Sequence, residues 1–169
     1  MIREDLRNTI DLWTRDIEEL SFEQLCKKPS PNSWSLGQVC MHLIDATHYF
    51  LEQAVICSSN NENSNEEMKP NAKIMFVDNE FPNERIEGPP SNSFTLQPKS
   101  KEEILSSFAK IKESIVHVER QVSNSTHEGK TKHPGLGYFS ATEWLQFAEM
   151  HFRHHFRQRD RIMAFLKID

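Results

Sequence analysis

SKEEILSSFAKIKESIVHVERQV, residues 100 to 122, reads as one uninterrupted amphipathic helix. Ile104, Phe108, Ile111, Ile115, Val118 and Val122 recur at steps of three and four, so one side of the helix is wholly apolar. Ser100 and Glu103 have the spacing of a capping box, in which hydroxyl and carboxylate each take a backbone N–H at the helix start. Such a stripe has to be buried against other elements. The chain offers three more of the same kind.

Upstream, Leu6, Ile10, Trp13, Ile17 and Leu20 mark a helix over about residues 3 to 20. SFEQLCKKP adds a short turn before Pro29 and Pro31 break the chain. Ser35 and Gln38 form a second box, opening a helix to about residue 56 with Val39, Leu43, Ala46, Phe50 and Gln53 in line. Downstream, Ser140 and Glu143 form a third. That helix carries Trp144, Ala148, Ile162 and Phe165 and ends near residue 166. These elements predict an all-α fold, a four-helix bundle in one domain spanning residues 1–169.

The crossover between the second and third helices, residues 58–99, is long for a compact domain. Its front is rich in Asn, Ser and Glu, but Ile74, Met75, Phe76, Phe81, Ile86 and Phe94 make the rest too apolar for a free linker. It is expected to lie on the bundle, over one end of a site. HPGLGYF, residues 133 to 139, reads as a second, tight connection.

Composition narrows the function. A net charge of −5 without a basic stripe argues against nucleic acid as a partner. No apolar run reaches the length of a membrane span. The N-terminal MIREDLRNTIDLW has acids where a signal peptide needs an apolar core, which predicts a cytoplasmic protein. Cys26, Cys40 and Cys57, without a CxxC pair, are expected to be reduced thiols.

The chemistry concentrates in HFRHHFRQ, residues 151 to 158. With Trp144 at zero on a helical wheel, His151 falls at about −20° and His155 at about +20°, one turn apart in the apolar stripe. His154 falls about 80° to one side. Two buried neutral imidazoles need partners, and a metal ion serves both. For a third ligand the sequence offers His42, His48, His117, His127 and His133. His42, about 60° from Val39 at the margin of the buried stripe, fits best. His48 and His117 face away, and His127 and His133 fall in connections. Gln158 is a candidate for orienting a ligand. Arg153, Arg157 and Arg159 read as a solvated face paired with acids, Trp34 and Trp144 as core plugs.

The set NSWSLGQVCMHL (32–43), HPGLGYFSATEWL (133–145) and HFRHHFRQ (151–158) resembles the DinB-like superfamily. That group includes YfiT-like metal-dependent hydrolases and thiol S-transferases that use bacillithiol or mycothiol. The resemblance implies helices in up-down-down-up order and a divalent metal, zinc or nickel, on His42, His151 and His155. It also implies a homodimer. Such an ion can activate water for hydrolysis or a low-molecular-weight thiol for transfer to a small-molecule substrate. No carboxylate in the HFRHHFRQ stretch faces the stripe centre, and Asp45 points about 60° further from the core than His42, as a surface acid. That shades the expectation toward thiol activation. The alternative is a non-catalytic bundle that binds metal or a ligand.

Overall fold

The computed structural model describes residues 2–83 and 94–167. It is mostly helical: α1 (Ile2–Glu19), α2 (Phe22–Cys26), α3 (Leu36–Cys57), α4 (Pro70–Asp78), α5 (Lys101–Asn124), α6 (Ala141–His154) and α7 (Phe156–Leu166). Strands β1 (Lys130–His133) and β2 (Gly137–Ser140) form an antiparallel hairpin.

The helix ends follow the local chemistry. Ser21 with Gln24, Ser35 with Gln38, and Ser140 with Glu143 each form a complete capping box. At α5 the box is shifted. Ser100 accepts from the Glu103 N–H, but the Glu103 carboxylate accepts from Lys99 N–H at 2.6 Å. No basic residue stands in the last turn of α1. Its final carbonyls are met instead by Lys101 of α5, whose ammonium donates to Leu20 O at 2.9 Å and to Glu18 O.

Leu6, Ile10, Trp13, Ile17, Ile104, Phe108, Ile111 and Ile115 are buried, as the stripes predict. Lys112 pairs with Asp11 and Lys101 with the end of α1, so α1 and α5 run antiparallel. Thr9 bonds Glu149, Trp13 bonds Phe152 O, and Arg159 bonds Asp16, so α1 runs parallel to α6 and α7. Phe50 packs on Trp144 and Phe147 while His42 meets His151, so α3 and α6 are antiparallel. Gly37 abuts Pro98 and Ser58 bonds Gln121, which sets α3 parallel to α5. A Cβ on Gly37 would come within 2.8 Å of Pro98 Cγ, so only glycine allows this approach.

The structure departs from the sequence reading in several places. The fourth helix is divided at His155, whose ψ of −7° interrupts the α-helical path between α6 and α7. HPGLGYF is the turn and second strand of a hairpin, with Gly137 at φ 90°. Phe139 is fully buried, and Trp144 Nε1 donates to Thr131 Oγ1 at 2.7 Å, fastening the hairpin to α6. The crossover contains α4, which Pro70 opens and Asn79 closes in the left-handed region at φ 52°. Within the crossover Met75 and Phe81 are buried, but Ile74 and Phe94 are exposed, and Ile86 lies outside the described residues. Phe165 is exposed too, with the Lys27 ammonium 5.5 Å from its ring centre. All three cysteines are free thiols. Among the described residues no helix is long and apolar enough to cross a membrane.

Candidate metal centre

α3 and α6 cross so that His42, one turn beyond Gln38, faces His151. The break in the helix then turns His155 onto the same point. His42 Nε2 lies 3.0 Å from His151 Nε2, and His155 Nε2 lies 3.2 Å from the same atom. Ligand atoms of all three fall within 4.8 Å of one another. His151 is buried; His42 and His155 are half-buried, so the cluster opens on their side.

His155 Nδ1 is 2.9 Å from Gln158 Oε1. The amide oxygen only accepts, so the proton sits on Nδ1 and His155 Nε2 presents a bare lone pair. His151 Nε2 stands between that lone pair and His42 Nε2, about 3 Å from each, where one shared N–H cannot satisfy three nitrogens. A divalent ion can. Nitrogens about 2.0–2.1 Å from zinc stand about 2.9 Å apart at a right angle and about 3.4 Å apart at the tetrahedral angle. The two spacings to His151 fall inside that range, so the donor set fits a divalent metal.

Electrostatics agree. Burial, with repulsion from His154, pushes His42 down to about 4. Burial and then the charge of His42 take His155 to about 3, against the raising effect of Gln158. His151 is held well below the ordinary range, first by burial and then by the neighbouring histidines. The cluster is therefore neutral at pH 7 and has its lone pairs free. Among the described residues, none of the groups that shift these three rings is a carboxylate.

The remaining histidines divide as follows. His48, His117 and His127 are exposed, and Asp45 is a surface acid. His133, at the end of β1, packs on Phe139, Trp144 and Phe147 and accepts from Gly135 N–H at 3.1 Å. His154 is half-buried at the edge of the cluster, its ring centre 5.2 Å from that of His155. Trp144 is a core plug, but Trp34 is only half-buried and lies 5.2 Å from the His42 ring. Phe50 and Phe81 flank His151 at 5.5 and 6.1 Å. Phe81 is apolar in the sequence, but nothing local indicates that the crossover sets it on the histidines.

The arginines do pair with acids, though two are less solvated than the sequence suggests. Arg153 forks onto buried Glu149, Arg157 meets Glu80, and Arg159 meets Asp16 while lying 4.2 Å over the Phe156 ring. The depression of about 260 Å³ beside Asp5, Thr9, Asn79, Glu149 and Arg153 includes none of the three clustered histidines.

Replacing Gln158 by leucine is expected to weaken metal binding about 10- to 100-fold, the usual loss when a ligand histidine is no longer oriented. Competition with a chromophoric chelator measures it. Unchanged affinity would show that Gln158 does not orient His155.

Among comparisons with known proteins, the family model described as the DinB superfamily matches residues 5–158. No curated protein and no solved structure matches the chain.

Proposed function

Since the chain belongs to the DinB superfamily, we propose that it is a divalent-metal-dependent enzyme built on an up-down-down-up four-helix bundle. His42, His151 and His155 hold the metal, zinc or nickel, through their Nε2 atoms. The convergence of these three nitrogens, with the His155 tautomer set by Gln158, carries the reading. The bound ion supplies a Lewis-acid position at which a thiol or a water becomes a nucleophile.

The chain's own residues define the rest. Burial keeps the imidazoles neutral, so no proton has to leave before the metal enters. Phe50 and Phe81 exclude water from the inner side of His151. Hydrolysis needs a general base in reach of the attacking water. Among the described residues no carboxylate shifts the cluster, which favours thiol transfer to a small-molecule electrophile, with a low-molecular-weight thiol as cosubstrate. The reading extends to a cytoplasmic homodimer. The family resemblance supports the dimer, and the three free thiols support the compartment.

Protein made without a metal-affinity tag is expected to contain about one equivalent of metal per chain. Glutathione and bacillithiol conjugation to a panel of electrophiles, set beside ester and amide hydrolysis, separates the reaction classes. Turnover only in the hydrolytic panel would reverse the preference for thiol transfer. Bound metal with turnover in neither would leave a non-catalytic binding module.

The pH dependence follows from the lowered histidines. Three ordinary imidazoles would each lose metal to protons below about pH 6.5, roughly tenfold apiece per pH unit. Here His42 and His155 protonate only near 4 and 3, so affinity should change less than about threefold between pH 7.5 and 5.5. The metal-free fold behaves oppositely. Its unfolded chain takes up protons below 6.5 while the folded cluster does not, so its stability is full above 6.5 and falls as pH drops toward 4. Metal titrations and thermal melts across this range test both.

A further inference from the structure

The reading above leaves open what the substrate looks like, and the walls of the centre bear on that. The rings packed on the three histidines are Trp34 against His42 at 5.2 Å, Phe50 against His151 at 5.5 Å and Phe81 against His151 at 6.1 Å. His154 adds a fourth ring beside His155. Phe50 and Phe81 are buried and serve as lining. Trp34 differs. It is half-buried, beside a half-buried ligand, on the side where the cluster opens.

Trp34 is also rigidly mounted. Ser35, the next residue, is fully buried as the cap of α3 and bonds both the Gln38 N–H and Gln97. Gln38, one turn before His42, donates to Thr95 O at 2.7 Å, so residues 95–97 run along the end of α3 that carries Trp34 and His42. On that segment Leu96 is 78% exposed, and Phe94 just before it is 80% exposed. Large apolar side chains left in water beside a site mark contact surface for an apolar ligand. A strongly hydrated substrate would shed its water against aromatic rings with nothing to replace it.

We propose that Trp34 is the substrate platform of the metal centre: the atom presented to the metal belongs to a molecule with a flat apolar group, which stacks on the indole. The substrate class is thus an aryl or similarly unsaturated compound rather than a phosphate. This inference rests on the metal-enzyme reading and specifies its ligand. An indole face contributes contact area and ring stacking to a flat partner and little to a methyl group.

The test uses two probes with the same metal-binding head, benzohydroxamate and acetohydroxamate, titrated into cobalt-loaded full-length protein and followed by the visible cobalt spectrum and by calorimetry. The wild-type protein is expected to prefer the aromatic probe by about tenfold or more. Trp34→Ala should bring the two probes to within about twofold, leaving the cobalt spectrum and acetohydroxamate affinity unchanged. Trp34→Leu, which keeps apolar volume but no ring face, should lose the preference too and serves if the alanine variant folds poorly. Trp13 and Trp144 are fully buried, so acrylamide quenching reports mainly on Trp34 and should be blocked by benzohydroxamate. Equal affinities in the wild-type protein, or a preference that survives in Trp34→Ala, would overturn the platform alone. Failure of the wild-type protein to bind cobalt would overturn the metal reading and this inference with it.

Discussion

His151→Ala is expected to strip the protein of its metal. His151 Nε2 is the atom both other histidines approach, at 3.0 and 3.2 Å, and its loss leaves two nitrogens of one former triangle. Structural zinc sites with four ligands are worth about 10–16 kcal/mol, so one ligand accounts for roughly 3–4 kcal/mol, or two to three orders of magnitude in affinity. Elemental analysis of untagged protein and chelator competition measure the effect, with circular dichroism confirming that the variant folds. His133→Ala is the control. That ring lies in the hairpin packing, and its loss should spare the metal. A folded His151→Ala protein that keeps a full equivalent would eliminate the three-histidine centre.

The second large effect is structural. Glu149 is only 4% exposed, and Arg153 meets its carboxylate with three contacts of 2.7–2.9 Å. The same guanidinium donates to Asn79 O at 2.6 Å, just beyond α4 and two residues before Phe81. Gln146 supports this anchor from Phe76 O and Asn79 Oδ1. In Arg153→Met a buried carboxylate loses its counter-charge, and the crossover loses a tether beside the histidine cluster. Removing one partner of a buried pair costs about 3–5 kcal/mol; with the guanidinium about a third exposed, about 2–4 kcal/mol is expected. For a chain of this size the melting midpoint should fall roughly 5–15 °C. Adding Glu149→Gln removes the stranded charge and should recover much of the loss. A single variant that melts like the wild type would show that the pair contributes no stability.

Much of the site could be read before folding was considered. His151 and His155 are four apart inside an apolar stripe, so helical spacing points both inward, although the helix in fact breaks at His155. His42 followed from its place at the margin of another stripe. The capping serines were visible because a cap is a contact between residues three apart, as at Ser35 and Ser140. The hairpin was not visible. Its strands are four residues long, and its hold on α6 is a bond from Trp144 to Thr131 that no periodicity announces. Trp34, read as a core plug, does pack against the core, but it is only half-buried and lies 5.2 Å from the His42 ring, a contact that spacing along the chain does not announce.

By itself the sequence determined the four long helical stretches, most of their buried faces and the three candidate histidines, because each depends on spacing along one chain segment. The tertiary structure alone decided that the Nε2 atoms of His42 and His155 both approach that of His151. It alone also decided that the crossover seats Phe81 over the cluster. Those are contacts between residues far apart in the chain, or made across a helix break, where local spacing says nothing about distance.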